Sequence, residues 1–117
     1  MQTLTADQLD SMMDEDEEFT LINVLGEEDF RRVHIPGSEN IPVGRDDFEQ
    51  AVKELVGSRG STVVVYCADF DCEASPAAAR KLDEAGFTDV YDFEGGVKQW
   101  MKAGHEVEGE ETAGSRS

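Results

Sequence analysis

The sequence has little positive charge. Ten Lys and Arg residues stand against 27 Asp and Glu residues, which gives a formal net charge of −17 at pH 7. Nucleic-acid binding depends on basic side chains that neutralise phosphates, and an anionic membrane surface attracts proteins in the same way. We therefore expect no nucleic-acid partner and no membrane association.

Long hydrophobic runs and abundant cysteines are also absent. The longest apolar run covers residues 63–68, far short of the ~18 residues that span a bilayer, and the first residues do not resemble a signal peptide. Two cysteines are too few for a disulfide framework, so each is reactive, metal-bound or incidental. These features predict a soluble, cytoplasmic protein, and 117 residues leave room for one domain.

The acidic residues are dispersed from Asp7 to Glu111, so no single tail accounts for the charge. Such a surface repels itself in dilute buffer, whereas molar salt shortens the Debye length to about 3 Å and screens the repulsion. Two explanations stay open: a halophile's protein, or an acidic module that docks a basic partner. We favour the first because every segment carries the charge.

Helix and strand patterns alternate along the chain. Thr5 and Gln8 have the spacing of a capping box, and Ser75 and Pro76 predict a helix that Ser75 caps and Pro76 begins. The alternation predicts an α/β fold with a central, mostly parallel sheet and helices on both faces. The expected helices are residues 6–14, 46–56, 77–85 and 97–103, with a helical turn at 26–30, and the expected strands are residues 19–24, 39–41, 61–66 and 88–93.

The C-terminal part of the chain gives two further expectations. The last helix is expected to turn Trp100 and Met101 inward. Residues 109–117 contain no apolar anchor, so we expect a disordered acidic tail there and a folded domain over residues 1–108.

Cys67 directly follows the strongest strand pattern. Ligands of open α/β sheets bind beyond the carboxyl ends of the strands. The loop from Cys67 to Ser75 leads into a helix, whose N-terminus and backbone N–H groups can face the sulfur. Such surroundings favour the nucleophilic thiolate. The alternative is a small buried hydrophobic residue at a strand end.

Several short motifs follow one another in order between about residues 4 and 107. They are Leu21-Ile-Asn-Val24, Glu28-Asp-Phe30, His34-Ile-Pro-Gly-Ser-Glu-Asn-Ile-Pro42, Val63-Val-Val-Tyr-Cys67, Ser75 with Ala78, Ala79 and Leu82, Gly86-Phe87, and Gly95-Gly96 with Trp100. Together they resemble a single-domain rhodanese. The resemblance implies a rhodanese-like fold and a sulfurtransferase in which Cys67 takes a sulfane sulfur from a donor such as thiosulfate and holds it as a persulfide.

The same resemblance implies the binding loop and the partners. The persulfide would lie among the N–H groups of Ala68, Asp69, Phe70, Asp71, Cys72, Glu73, Ala74 and Ser75. The implied partners are a small sulfur donor and, as acceptor, a thiol, a cyanide-like molecule or a protein. No cofactor is required, and we expect a monomer.

The loop departs from the family pattern. Family members commonly carry Asp-Val-Arg where this chain has Asn23-Val24-Leu25, and their shorter loop contains a glycine and an arginine where Ala74 stands. No positive charge occurs between Cys67 and Arg80. Phosphatases of this fold clamp phosphate with an arginine that follows the cysteine after five residues, and Glu73 stands at that position, so phosphatase activity is not expected. The same absences favour an alternative function, a catalytically inactive module that binds a partner through its acidic loop.

Three loop carboxylates, those of Asp69, Asp71 and Glu73, oppose a thiolate at Cys67. At ~7 Å and an effective dielectric constant of ~40, each costs about 1 kcal/mol, against ~0.3–2 kcal/mol gained from a helix N-terminus and N–H groups. Molar salt would screen exposed carboxylates, so the loop suits a salt-rich cytosol.

Cys72 has three open interpretations. It is an exposed thiol without a role, a resolving partner that takes the persulfide or closes a disulfide with Cys67, or the true nucleophile. A Cys67/Cys72 dithiol redox protein is thus a third possible function, although the spacing is not thioredoxin-like. No metal site is expected, because zinc needs about four ligands, and the two histidines that could join the cysteines, His34 and His105, are far from the loop in the sequence.

The remaining motif residues are expected to be structural. We expect His34 to hydrogen-bond the backbone, and Trp100, Tyr91 and Phe87 to belong to the core. Gly95-Gly96 is expected to turn tightly beside the site, because glycine tolerates a positive φ.

Overall fold

The computed structural model describes residues 2–15 and 18–110. Its strands are β1 (Gln2–Thr3), β2 (Thr20–Asn23), β3 (Glu39–Asn40), β4 (Val63–Tyr66) and β5 (Val90–Phe93), and its helices are α1 (Ala6–Asp14), α2 (Glu27–Arg32), α3 (Phe48–Val56), α4 (Ala74–Glu84) and α5 (Gly96–Lys102). The five strands form one sheet in the order β1-β5-β4-β2-β3, and every pair in it is parallel. The predicted α/β class is confirmed.

The central strand β4 is buried on both sides of the sheet. All four of its residues are buried, as its β-branched, apolar composition predicts. Val63, Val65 and Cys67 point into the core that α3 and α4 cover. Val64 and Tyr66 point into the opposite core beneath α1 and α5. The alternation along β4 therefore places the Cys67 side chain on the face that α4 covers.

Helix α1 begins as predicted and α4 does not. The Thr5 hydroxyl accepts from the Gln8 N–H at 3.1 Å, and the Gln8 side chain accepts from the Thr5 N–H at 2.8 Å, which completes the capping box. Helix α4 starts at Ala74, so the prediction that Ser75 caps it and Pro76 begins it is wrong. Proline fits there because the first helical N–H groups have no partner within the helix anyway.

Two further differences lie at the sheet edge and in α5. Met101 is 50% exposed, so its predicted inward orientation is wrong, whereas Trp100 is 3% exposed. Successive helical residues point about 100° apart, and only one of the two can face the sheet. Strand β1 has two residues, too few for a sequence pattern, and pairs with β5.

No described helix has both the length and the apolar character needed to cross a bilayer.

The outcome for the other core residues and for the tail is mixed. Phe87 is buried as predicted, and Tyr91 is half-buried against the core under α1 and α5. Gly109 and Glu110 are described, and residues 111–117 of the predicted disordered tail lie outside the described residues.

Candidate active site

The backbone at Cys67 is held by two elements of the fold. Cys67 directly follows β4, and its carbonyl oxygen accepts from the Val97 N–H at 3.0 Å. The next carbonyl, that of Ala68, accepts from the Lys98 N–H at 2.9 Å. These donors belong to the first turn of α5, where N–H groups lack helical partners. The carboxyl end of β4 and the start of α5 thus position each other.

Gly96 permits this close approach. Its φ is 61°, in the left-handed region, and an added Cβ would lie 2.7 Å from the carbonyl carbon of Ala68 and 2.9 Å from its oxygen. Gly95 has an ordinary φ of −69°. The tight turn expected from the glycine pair is confirmed. Gly96 is the member with a positive φ, and at Gly95 an added Cβ would lie 2.7 Å from Gln99 Cγ.

Cys67 and Cys72 are joined by a disulfide, with their Cα atoms 6.4 Å apart. Cys67 has no exposed surface, whereas Cys72 is half-buried. Cys67 therefore carries no thiolate in this oxidised form of the protein, and its role as nucleophile stays a prediction. Of the three interpretations left open for Cys72, the structure shows disulfide closure with Cys67.

The loop offers several backbone N–H groups around the cysteines. Two of them are used inside the loop: the Asp71 N–H donates to the Asp69 carboxylate at 3.0 Å, and the Cys72 N–H donates to the Asp69 carbonyl at 3.2 Å. Within the described residues, six other N–H groups of the segment have no acceptor: those of Ala68, Asp69, Phe70, Glu73, Ala74 and Ser75. The last two belong to the first turn of α4, where N–H groups favour an anion.

Positive charge reaches the loop from another element. Lys98 and Lys102, one turn apart on α5, line a pocket of about 200 Å³ together with Asp69, Phe70 and Asp71. The sequence analysis considered positive charge only between Cys67 and Arg80, so it missed both lysines. Their spacing directly after the glycine pair is the signal that could have found them, because residues i and i+4 share a helix face.

Phe70 is the one large apolar side chain of the loop, and it is 68% exposed. Its ring lies close to Gly95, since a Cβ on that glycine would come within 3.3 Å of the Phe70 Cζ atom. The ring also borders a second pocket of about 260 Å³ beside the N-terminal end of α1. The loop therefore presents an aromatic surface at the carboxyl edge of the sheet.

Tyr66, the residue before Cys67, is anchored by a buried hydrogen-bond network. Its hydroxyl accepts from the Ile35 N–H at 3.0 Å and lies 2.8 Å from the Ser38 hydroxyl. Ser38 uses its single hydrogen to donate to the Ile35 carbonyl at 2.7 Å, so Tyr66 is the donor to Ser38. Burial raises the pKa of Tyr66 despite these hydrogen bonds, which keeps the phenol protonated for this role.

Two motif residues have structural roles. Asn23 accepts from the Leu25 N–H through Oδ1 at 2.9 Å. His34 lies with Nδ1 2.7 Å from the Phe30 carbonyl oxygen and stacks on the Phe30 ring at 4.0 Å. The prediction that His34 hydrogen-bonds the backbone is confirmed.

A buried acid that sequence reasoning missed lies behind the loop. Asp92 pairs with Val65 across the sheet and is 1% exposed. Burial raises the pKa of Asp92, the nearby Ser75 hydroxyl lowers it in part, and the charge of Glu94 raises it further. The Ser75 hydroxyl lies close enough to Asp92 to affect its pKa, but the geometry is not that of a formed hydrogen bond, and Asp92 Oδ1 also lacks a hydrogen-bond partner within the described residues. No sequence pattern marked this strand carboxylate as buried.

Comparison with known proteins decides the family. The sequence profile described as "Rhodanese-like domain" matches residues 5–103. The chain belongs to the rhodanese family. This rhodanese domain is 34% identical over 91 residues to the HTH-type transcriptional regulator Rv0324 of Mycobacterium tuberculosis, an alignment that covers 78% of the domain and 38% of the regulator.

A second relative carries a sulfur-transfer name. The rhodanese domain is 31% identical over 100 residues to the Mycobacterium tuberculosis protein named "Probable adenylyltransferase/sulfurtransferase MoeZ", over 86% of the domain and 24% of the relative. The domain thus spans well under half the length of both curated relatives.

Solved structures agree on the fold. The domain superimposes with a TM-score of 0.82 and 26% identity on a thiosulfate sulfurtransferase from Pseudomonas aeruginosa, over 94% of the domain and 20% of that chain. It matches the BH2092 protein of Bacillus halodurans with a TM-score of 0.82 and 28% identity, over 92% and 77% of the two chains. The rhodanese fold expected from the sequence is confirmed.

Proposed function

We propose that this rhodanese domain is a sulfurtransferase whose reduced form carries a sulfane sulfur on Cys67. The Cys67 thiolate attacks the outer sulfur of a donor such as thiosulfate, a Cys67 persulfide forms, and sulfite leaves with the electron pair of the broken S–S bond. A thiol, cyanide or a protein acceptor then takes the sulfur. No cofactor takes part.

One observation carries the proposal. Cys67 is the residue through which the central strand enters a loop that has six backbone N–H groups without an acceptor among the described residues. Two of these N–H groups belong to the first turn of α4, so their partial positive charge favours a persulfide anion. Relatives named as sulfurtransferases support the reaction class.

The test is thiocyanate formation from thiosulfate and cyanide by protein that has first been reduced. We expect turnover in wild type, none in Cys67→Ser, and retained turnover in the matched variant Cys72→Ser. The assay is run in dilute buffer and in molar salt, because the loop carboxylates oppose the thiolate most strongly without screening. Thiocyanate at the Cys67→Ser level in both wild type and Cys72→Ser under both conditions refutes the proposal.

A second candidate is the catalytically inactive module that binds a partner through its loop. The exposed Phe70 ring between acidic side chains favours it, because an exposed aromatic anchor is typical of a recognition surface. This inactive module predicts that no variant acquires sulfur from thiosulfate.

The third candidate function is a dithiol redox protein. It predicts a reversible loss of two hydrogens that requires both Cys67 and Cys72. A cytoplasmic location, a monomeric state and a halophilic origin stay predictions.

A further inference from the structure

The disulfide places Cys72 against the sulfur that the proposed reaction uses. The two cysteines are five positions apart, and their Sγ atoms are bonded in the loop between β4 and α4. Both cysteines of the chain are engaged in this bond. After reduction, the Cys72 thiol therefore remains tethered within reach of Cys67 Sγ, and its attack there is intramolecular.

The loop backbone directs Cys72 toward Cys67. The Cys67 carbonyl is fixed by the Val97 N–H at 3.0 Å. On the other side, Asp69 turns the chain back by accepting from the N–H groups of Asp71 at 3.0 Å and Cys72 at 3.2 Å. These bonds involve no sulfur atom, so they can persist when the disulfide is reduced.

We propose that Cys72 is the acceptor-side thiol of this rhodanese domain and releases the transferred sulfur as hydrosulfide. The inference rests on the proposed function, because it requires a Cys67 persulfide. The Cys72 thiolate attacks Cys67 Sγ, the Cys67–Cys72 disulfide forms, and the outer sulfur leaves with the bonding pair as HS⁻. The sulfane sulfur gains two electrons, and the two cysteines together lose them.

The complete cycle is balanced with one named reductant. Reduced protein and thiosulfate yield sulfite, hydrogen sulfide and the disulfide form. An external dithiol, of low molecular weight or protein-borne, then restores both thiols and is itself oxidised to a disulfide. Cys72 is half-buried and Cys67 has no exposed surface, so the dithiol attacks at Cys72 and Cys67 leaves as the thiolate that begins the next cycle.

An internal acceptor needs no approach from solvent. Asp69 and Asp71 border the pocket beside the loop together with Lys98 and Lys102, whereas the Cys72 thiol is already tethered beside Cys67. The disulfide seen here is then the product of one turnover, and the same bond closes the site to a further donor until it is reduced.

The test is a single turnover without an external acceptor. Reduced wild type, Cys72→Ser and Cys67→Ser are freed of reductant and mixed with thiosulfate, and sulfite, sulfide and intact protein mass are followed in time. We expect wild type to yield one equivalent each of sulfite and sulfide and to become lighter by two hydrogens. Cys72→Ser should yield sulfite, become heavier by one sulfur atom and release no sulfide. Cys67→Ser should do neither.

The outcomes separate the inference from the function on which it rests. Wild type that yields sulfite but keeps the added sulfur as stably as Cys72→Ser refutes the role of Cys72 and leaves the sulfurtransferase intact. No sulfite from wild type or Cys72→Ser refutes both. In a second measurement, the rate of sulfide release should not depend on added monothiol in wild type and should rise in proportion to it in Cys72→Ser. Equal dependence in the two proteins also refutes the inference.

Discussion

Replacing Gly96 with alanine is expected to destabilise the domain and displace the segment that carries Cys67. The left-handed φ of 61° costs an alanine roughly 1–2 kcal/mol. The added Cβ would also press on the carbonyl groups of Cys67 and Ala68, 2.7 Å from the Ala68 carbon, and such overpacking typically costs about 1–3 kcal/mol. The total is roughly 2–5 kcal/mol, out of a typical stability of about 5–15 kcal/mol.

Gly57→Ala is the matched control. Gly57 ends α3 with a φ of 88°, and an added Cβ there meets nothing within 4 Å. This variant therefore has the backbone cost without the steric one, about 1–2 kcal/mol. The difference between the two variants isolates the close approach of α5 to the end of β4.

Denaturant unfolding and thiocyanate formation are measured for both variants under the same conditions. We expect Gly96→Ala to lose about 1–3 kcal/mol more than Gly57→Ala and to lose sulfur transfer while it is still folded. If the two variants have equal unfolding free energies and equal activity, the contact between Gly96 and the Cys67 segment does not position the site.

Three other perturbations test separate parts of the structure. Reducing the Cys67–Cys72 disulfide, which closes a loop with a sequence separation of 5, should lower the unfolding free energy by about 2 kcal/mol. Denaturant curves with and without reductant measure this, and a redox effect that persists in Cys72→Ser contradicts it. Because burial raises the pKa of folded Asp92, wild-type stability should fall as pH rises from the usual carboxyl pKa through the raised one. Asp92→Asn should lose that slope in urea unfolding across the acidic range, whereas the exposed Asp46→Asn should keep it, and equal slopes refute the assignment. Finally, a net charge of −17 predicts a melting temperature that rises between dilute and multimolar salt, and equal or greater stability without salt refutes adaptation to salt.

The elements whose signals are local could be predicted. Thr5 and Gln8 are three positions apart, so their capping box is complete within one turn and needs no distant partner. The run at β4 has three valines and one tyrosine, with no charged residue to expose, and the structure buries all four of its residues. Because Cys67 directly follows β4, its place at the carboxyl edge of the sheet was predictable as well.

Where a sequence motif was compatible with two neighbouring positions, the prediction was less exact. Ser75-Pro76 is compatible with a helix that starts at either residue or slightly before, because any first-turn N–H is dispensable. In the structure the helix starts earlier, at Ala74, and Ser75 is fully buried in its first turn. Trp100 and Met101 are both apolar, and only the Trp100 ring lies in the core, beside Phe93.

By itself, the sequence determined the α/β alternation, the central strand, the glycine turn and the position of Cys67 at the end of that strand. These are set by periodicity, caps and turns, which act over a few residues. The tertiary structure alone decided that Lys98 and Lys102 border the loop, that Asp92 is buried behind it, and that Cys72 meets Cys67. Such contacts depend on how separate elements pack in three dimensions, and no pattern within one segment specifies that.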